Sequence, residues 1–333
     1  MKVVVATRSL EVFEALHRMG MNGANSQSAL FTGQVYDSLK GANLVVVDFE
    51  DLVPHPYSTD MLRGLLTESN VLYVNSADFL TRPQHWMDEA RRAGGLATDL
   101  PKKRVIAFVS YSGGVGKTTL AIDTALYFAR RTKLPVLLTE FVYGESAIAP
   151  LTNPDAPHLF DLVTQVDVQP AKWNGITLAP MDYENVRDLS ASLLTRWLKE
   201  QMDHHVLTVI DGHWPHALLG TAGSLRDEVD DWFILAAPRP DAVENGLKLR
   251  DELGERKARL VLNLKGGTLD SLTLNGIKRD LDLPNIKQAD RFEGKLGRAI
   301  LAQTYGRETW RKYERTSLVD RIGAAFRGDR NHR

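Results

Sequence analysis

Apolar residues in this chain follow two rhythms. Short continuous runs, such as Val3-Val4-Val5-Ala6, Leu44-Val45-Val46-Val47 and Val105-Ile106-Ala107-Phe108-Val109, are the mark of strands buried on both faces. Between them, apolar residues recur every three or four positions, as in Val12, Leu16 and Met19, which predicts amphipathic helices. The front of the chain predicts strands over 2–6, 43–48 and 71–74, with helices over 11–19, 34–39, 59–66 and 84–92. A Gly-rich stretch then runs from Ala93 to Lys103 and reads as a break. The alternation resumes with strands over 104–109, 135–138, 175–178, 206–211, 232–236 and 259–263. The helices there are one following Lys117, a long one over 186–202, and one over 241–253. Such alternation predicts α/β architecture with mainly parallel sheets. Two doubly wound domains are expected, 1–98 and 104–328, joined by a linker over 99–103 and followed by a disordered tail over 329–333. Ligands of such sheets sit at the carboxyl ends of the strands.

Composition narrows the class. The chain has 333 residues, 43% hydrophobic and 25% charged, enough for large packed cores. A formal net charge of -1 provides no global attraction to nucleic acid or anionic lipid. There are no cysteines, which excludes disulfides, thiolate metal sites and cysteine nucleophiles. No apolar stretch reaches bilayer length and the N-terminus lacks a secretory pattern, so a cytoplasmic protein is expected.

The chemistry concentrates in Ser110-Tyr111-Ser112-Gly113-Gly114-Val115-Gly116-Lys117-Thr118-Thr119. A strand runs in and a helix runs out, the context a phosphate-binding loop requires. Glycines 113, 114 and 116 let backbone N–H groups turn inward toward an anion at the helix N-terminus. Lys117 would reach the outer phosphates of ATP, and Thr118 would hold Mg²⁺. The standard first glycine is absent; Tyr111 stands in its place.

This spacing resembles the deviant loop of the ParA/MinD ATPases. The resemblance implies nucleotide contacts from Gly113, Gly114, Val115, Gly116, Lys117, Thr118 and Thr119. It further implies Mg²⁺ support from Thr118 and Asp211, and adenine recognition by Asn263. Two hydrolytic features of that family are missing. Its signature lysine, which reaches a dimer partner's nucleotide, is replaced by Ser112, and the second acid after the next strand is replaced by Val142. Glu140, or the flanking Glu145, is the candidate substitute for orienting water. ATP-Mg²⁺ binding with weak or absent hydrolysis is expected.

Residues 1–98 resemble a receiver domain of the flavodoxin-like kind. Asp48 ends the third strand, but Ala6-Thr7-Arg8 replaces the acids of a receiver's Mg²⁺ site, so Asp48 is read as a strand-end cap. A degenerate receiver before a ParA/MinD-like domain resembles the TadZ/CpaE family. Gly175-Ile176-Thr177-Leu178-Ala179-Pro180 and Ile234-Leu235-Ala236-Ala237-Pro238 agree with that family's segments. The resemblance implies a localisation and assembly factor of a Tad (type IVc/Flp) pilus or secretion system. It would form an ATP-dependent homodimer that recruits assembly proteins, concentrated at a cell pole or at the inner membrane face through those partners. The alternative is a cycling ATPase that positions DNA or another cargo. Ser112, Val142 and the near-neutral charge oppose it.

Other signals are weaker. His204-His205 and His213-x-x-His216 flank one strand, about 20 Å apart at ~3.3 Å per residue, so they cannot share a metal. The stripe Leu318, Val319, Ile322, Ala325 and Phe326 predicts a helix that packs rather than one that lies on a membrane. Lys295, Arg298, Arg307, Arg311, Lys312 and Arg315 read as a solvated helix face.

Overall fold

The computed structural model describes residues 1–21, 26–69, 71–92, 100–187, 189–220, 225–263, 276–283 and 292–314. The predicted helix over 317–327 and the tail lie outside them. Internal packing divides the chain into two units, Arg104–Arg311 and a front unit of Met1–Lys103 with the residues from Lys312 on.

The front unit runs β1 (Lys2–Ala6), α1 (Leu10–Arg18), β2 (Ser26–Ser28), α2 (Thr32–Ser38), β3 (Ala42–Val47), α3 (Thr59–Glu68), β4 (Leu72–Val74), α4 (Ser76–Thr81) and α5 (Pro83–Arg92). Its four strands are parallel in the order β2-β1-β3-β4. The valine runs of β1 and β3 are fully buried because helices cover both faces. Val3, Val5, Leu44 and Val46 pack against Val12, Leu16, Phe79 and Met87. Helix α4 was not legible in the apolar pattern; it is set by Asn75, whose side chain accepts the Asp78 N–H at 2.7 Å.

Acids at the carboxyl end of this sheet stitch loops. Asp48 accepts the Ser76 N–H at 3.0 Å, while Asp51 accepts from Thr7 Oγ1 at 3.1 Å and from the Arg8 N–H at 2.8 Å. Burial pushes the Asp48 carboxyl up, but bonds from Ser76 and Thr7 outweigh it and hold it below the usual value.

The second unit runs β5 (Arg104–Ser110), α6 (Lys117–Thr132), β6 (Val136–Phe141), α7 (Leu159–Thr164), β7 (Ala171–Trp173), β8 (Ile176–Ala179), α8 (Tyr183–Val186), α9 (Ala191–Asp203), β9 (Leu207–His213), α10 (Ala217–Gly220), β10 (Asp231–Ala236), α11 (Pro240–Leu253), β11 (Ala258–Asn263), β12 (Leu281–Leu283) and α12 (Lys295–Tyr305). Its eight strands lie in the order β12-β11-β10-β5-β9-β6-β8-β7. All pairs are parallel except β7 with β8. The α/β class and the mainly parallel sheet are therefore as expected. Strand β5, which feeds the glycine loop, lies inside the sheet between β10 and β9.

The helix expected over 186–202 is two helices. α8 is capped by Asp182, which accepts the Glu184 N–H at 3.1 Å. α9 starts afresh after Ser190, whose backbone is extended at φ -62° and ψ 127°. Leu194, Leu198 and Met202 keep helical spacing with Val186, so the apolar pattern runs through the break unmarked. Among the described residues no helix is long and apolar enough to cross a membrane.

α12 is fixed to α6 by a buried acid. Asp123, on α6, accepts the N–H groups of Gly294 at 2.7 Å, Leu296 at 3.1 Å and Gly297 at 2.8 Å. These are among the groups a helix N-terminus leaves without partners. Phe128 stacks on Tyr305 and Trp310 from the same helix.

Candidate functional site

The glycine loop closes between the end of β5 and the start of α6. Gly114 and Gly116 have φ of 71° and 92°, a left-handed backbone that disfavours any side chain. Gly116 is the N-cap of α6, and its carbonyl accepts the Leu120 N–H at 3.0 Å. Loop N–H groups and the helix N-terminus together make an anion site.

Lys117 lies across this loop. Its Nζ donates to Ser110 Oγ at 2.9 Å and to the Ser112 carbonyl at 3.1 Å. Burial lowers its pKa, opposed by the charge of Asp211. Thr118 Oγ1 donates to one oxygen of Asp211. Asp211 is 1% exposed, and its other oxygen, Oδ1, is buried without a hydrogen-bond partner. Burial pushes the Asp211 carboxyl up, against the pull of Thr118 and Lys117.

An orphaned buried carboxylate oxygen is costly unless something fills its place. A hydrated Mg²⁺ would do so. Thr118 supplies a hydroxyl ligand, Asp211 supplies a carboxylate for a metal-bound water, and both residues fit that ion. Thr119, on the first turn of α6, is partly buried. Asn263, at the end of β11, donates through Nδ2 to the Val115 carbonyl at 2.8 Å and so secures the loop to the sheet. A Cβ on Gly116 would also lie 3.0 Å from that amide and would press on the Asn263 contact.

Glu140 does not suit the water-orienting role expected of it. It is 0% exposed and accepts from the Ser146 hydroxyl, the Ala147 N–H at 2.9 Å, the Ile148 N–H at 3.2 Å and the Met181 N–H at 3.2 Å. All its capacity is spent on holding the loop after β6. Its register partner on β9 is Asp211. Burial first, with some repulsion from Asp211, raises its pKa to about 7 despite those hydrogen bonds.

The folded value lies above the usual carboxylate value of about 4.5. The unfolded chain therefore releases this proton first, and Glu140's contribution falls as pH rises from about 4.5 to about 7. Urea unfolding of wild type and Glu140→Gln should show this as a wild-type loss on the order of 2 kcal/mol between pH 5 and 7.5 that the variant lacks. Parallel pH profiles for the two proteins would refute it.

Four residues near the site were not singled out as ligands by the sequence. Ser110 positions Lys117. Tyr143, one residue beyond Val142, has its ring 5.7 Å from that of His213, 4.9 Å from that of His216 and 5.1 Å from that of Tyr183. The signal available for the histidines was their place just past Asp211. Burial, then Lys117, lowers the pKa of His213; burial, then His213, lowers that of His216 to about 4. His205 serves structure, with its ring nitrogens meeting the Gln201 carbonyl at 2.6 Å and Thr177 Oγ1 at 2.8 Å. Among the described residues no three His, Cys, Asp or Glu side chains group to hold a metal.

No family model and no curated protein matches the sequence. Several solved structures are similar to the chain. A ParA family ATPase from Chlorobium tepidum TLS is 15% identical, with a TM-score of 0.47, over 65% of this chain and 99% of that one. The septum site-determining protein MinD of Pyrococcus horikoshii OT3, complexed with Mg-ADP, is 17% identical, with a TM-score of 0.46, over 66% and 97%. A plasmid partition protein from Borrelia burgdorferi is 20% identical, with a TM-score of 0.45, over 61% and 99%.

Proposed function

We propose that this chain is a ParA/MinD-type ATP-binding protein of the TadZ/CpaE kind. It would act as a nucleotide-dependent localisation and assembly factor for a Tad pilus or secretion system. In this reading residues 104–328 bind ATP-Mg²⁺ and dimerise, and residues 1–98 form a receiver-like domain that has lost its acidic site. The observation that carries the nucleotide reading is the juxtaposition of Lys117, Thr118 and the unpartnered Asp211 oxygen at the N-terminus of α6.

Each part has a physical role. The loop N–H groups and Lys117 hold the phosphates, and Thr118 with Asp211 holds the hydrated metal. The metal would neutralise charge between the outer phosphates. Asn263 keeps the loop in shape through Val115 and stands at the end of β11, where the resemblance places adenine contact. Hydrolysis needs an oriented water and an added cation. Val142 cannot orient one, Glu140 is committed to its loop, and Ser112 brings no charge. A long-lived ATP state that brings partners together is the outcome such a site favours.

ATP-Mg²⁺ titration, phosphate release and oligomer mass on one sample test this. Saturable binding, a shift to dimer and almost no phosphate released are expected. Brisk release would replace this reading with a cycling ATPase that positions DNA or another cargo. Absence of binding would refute both.

A further inference from the structure

The two loops that close the carboxyl end of β6 and β9 are tied together by one exposed aromatic residue. Tyr143 is 52% exposed, yet its hydroxyl donates to the Pro215 carbonyl at 2.8 Å and accepts from the Ala217 N–H. Its ring lies against His213, the last residue of β9, and His216, in the turn that follows it. From below, Phe141 stacks on His216 at 5.6 Å. His216 Nδ1 accepts the Leu218 N–H at 3.3 Å, which leaves the ring proton on Nε2 and fixes the ring in place. Tyr183 closes the far side, and its N–H donates to the Gly144 carbonyl at 3.0 Å.

This cluster lies beside the resting place of Lys117. His213 is the register partner of Ser110, so their backbones are about 4.8 Å apart across the sheet. Ser110 Oγ is itself the acceptor of the Lys117 ammonium. Tyr143 thus reaches Lys117 through the His213 ring, the backbone pairing of His213 with Ser110, and the Ser110 hydroxyl. It also follows directly on Val142, just past the end of β6.

We propose that Tyr143 is a latch on the outer-phosphate side of the site: it ties the 142–149 loop to the 213–219 loop and limits the passage of nucleotide and water. The proposal rests on the nucleotide-binding reading above and adds its regulation. A phenol whose hydroxyl is engaged twice and whose ring meets three others has little freedom to orient a water. It can, however, be released as a unit, because half its surface already faces solvent. Release would loosen both loops together, since the same side chain touches both, while Glu140 keeps its own hold on the first.

Hydrogen exchange and nucleotide association on the full chain test this, with Tyr143→Ala and Tyr143→Phe beside wild type. The reporters are the amides of Ala147 and Ile148, bonded to Glu140, and those of Leu218 and Leu219, bonded to His216. In Tyr143→Ala both pairs should exchange about tenfold faster, while the amides of β5 do not change. Association of a fluorescent ATP analogue with Mg²⁺ should speed up by a similar factor. Tyr143→Phe keeps the ring, loses the bond to Pro215, and should fall between. Faster exchange confined to 142–149, or an unchanged association rate, overturns the latch. Failure of every form to bind the analogue overturns the nucleotide reading and the gating with it. The paired exchange would still decide whether one side chain holds both loops.

Discussion

Asp123→Ala is expected to lower the stability of the second unit by about 4 kcal/mol. The carboxylate is 2% exposed and accepts three backbone N–H groups at the start of α12. Removing it leaves three donors in a site that excludes water, each worth about 1–3 kcal/mol when stranded. It also removes a negative charge from the positive end of a helix dipole. The melting temperature of a domain this size should fall by about 8–16 °C, at 2–4 °C per kcal/mol. Asp123→Asn should recover part of the loss, because one amide oxygen still accepts while the NH₂ group opposes the donors. Thermal unfolding of the three proteins reads this directly, and an Asp123→Ala within 1–2 °C of wild type would show that α12 does not depend on that acid.

Gly297 sharpens the same point. A Cβ there would lie 2.6 Å from the Asp123 carbonyl oxygen and 2.7 Å from the Thr124 Cα, both backbone atoms that cannot move aside. The two helices therefore touch backbone to backbone, and the acid and the glycine belong to one joint. That joint begins five residues after Thr118. Three hydrogen bonds and the Phe128, Tyr305 and Trp310 stack hold α6 and α12 as one body.

The legible parts of this chain were those in which local and long-range forces agree. Short apolar runs rich in branched residues, such as 3–5 and 105–109, favour strands buried on both faces, because β-branched side chains suit a pleated strand and the runs are too short for a buried helix. The loop from Gly113 to Thr119 was legible as a tight strand-to-helix turn because its left-handed backbone at Gly114 and Gly116 needs glycine. Residues whose roles depend on a distant partner could not be read. Asp123 sits within a helical apolar pattern, and nothing nearby signals that it caps a helix some 170 residues on. Glu140 looked like an available acid because sequence spacing places it at a strand end; only its four donors show it to be committed. Tyr143 carried no signal, since its ring partners come from two segments far along the chain. The split between α8 and α9 was hidden because apolar spacing reports the face of a helix, not the continuity of its backbone.

Lys117→Ala should weaken ATP-Mg²⁺ binding by at least about 100-fold and leave the fold nearly untouched. In the absence of nucleotide the ammonium rests on Ser110 Oγ and the Ser112 carbonyl, and Ser110 keeps its own bond to Ser112 at 2.6 Å when the lysine is gone. The loop retains its shape, and stability should change by no more than about 1 kcal/mol. Phosphate contacts behave differently. A partly buried ammonium makes charge-assisted hydrogen bonds worth about 1.5–3 kcal/mol each, and two of them account for the expected factor. Thr118→Ala should instead act through the metal: it leaves both oxygens of Asp211 without a partner and should weaken ATP more in the presence of Mg²⁺ than in its absence. Calorimetric titration with and without Mg²⁺ separates the two. Equal binding by Lys117→Ala and wild type would show that the loop does not hold phosphate. A selective loss, with phosphate release near background in every form, is the outcome expected on the proposed reading, in which Ser112 and Val142 stand where hydrolysis would need a cation and an acid.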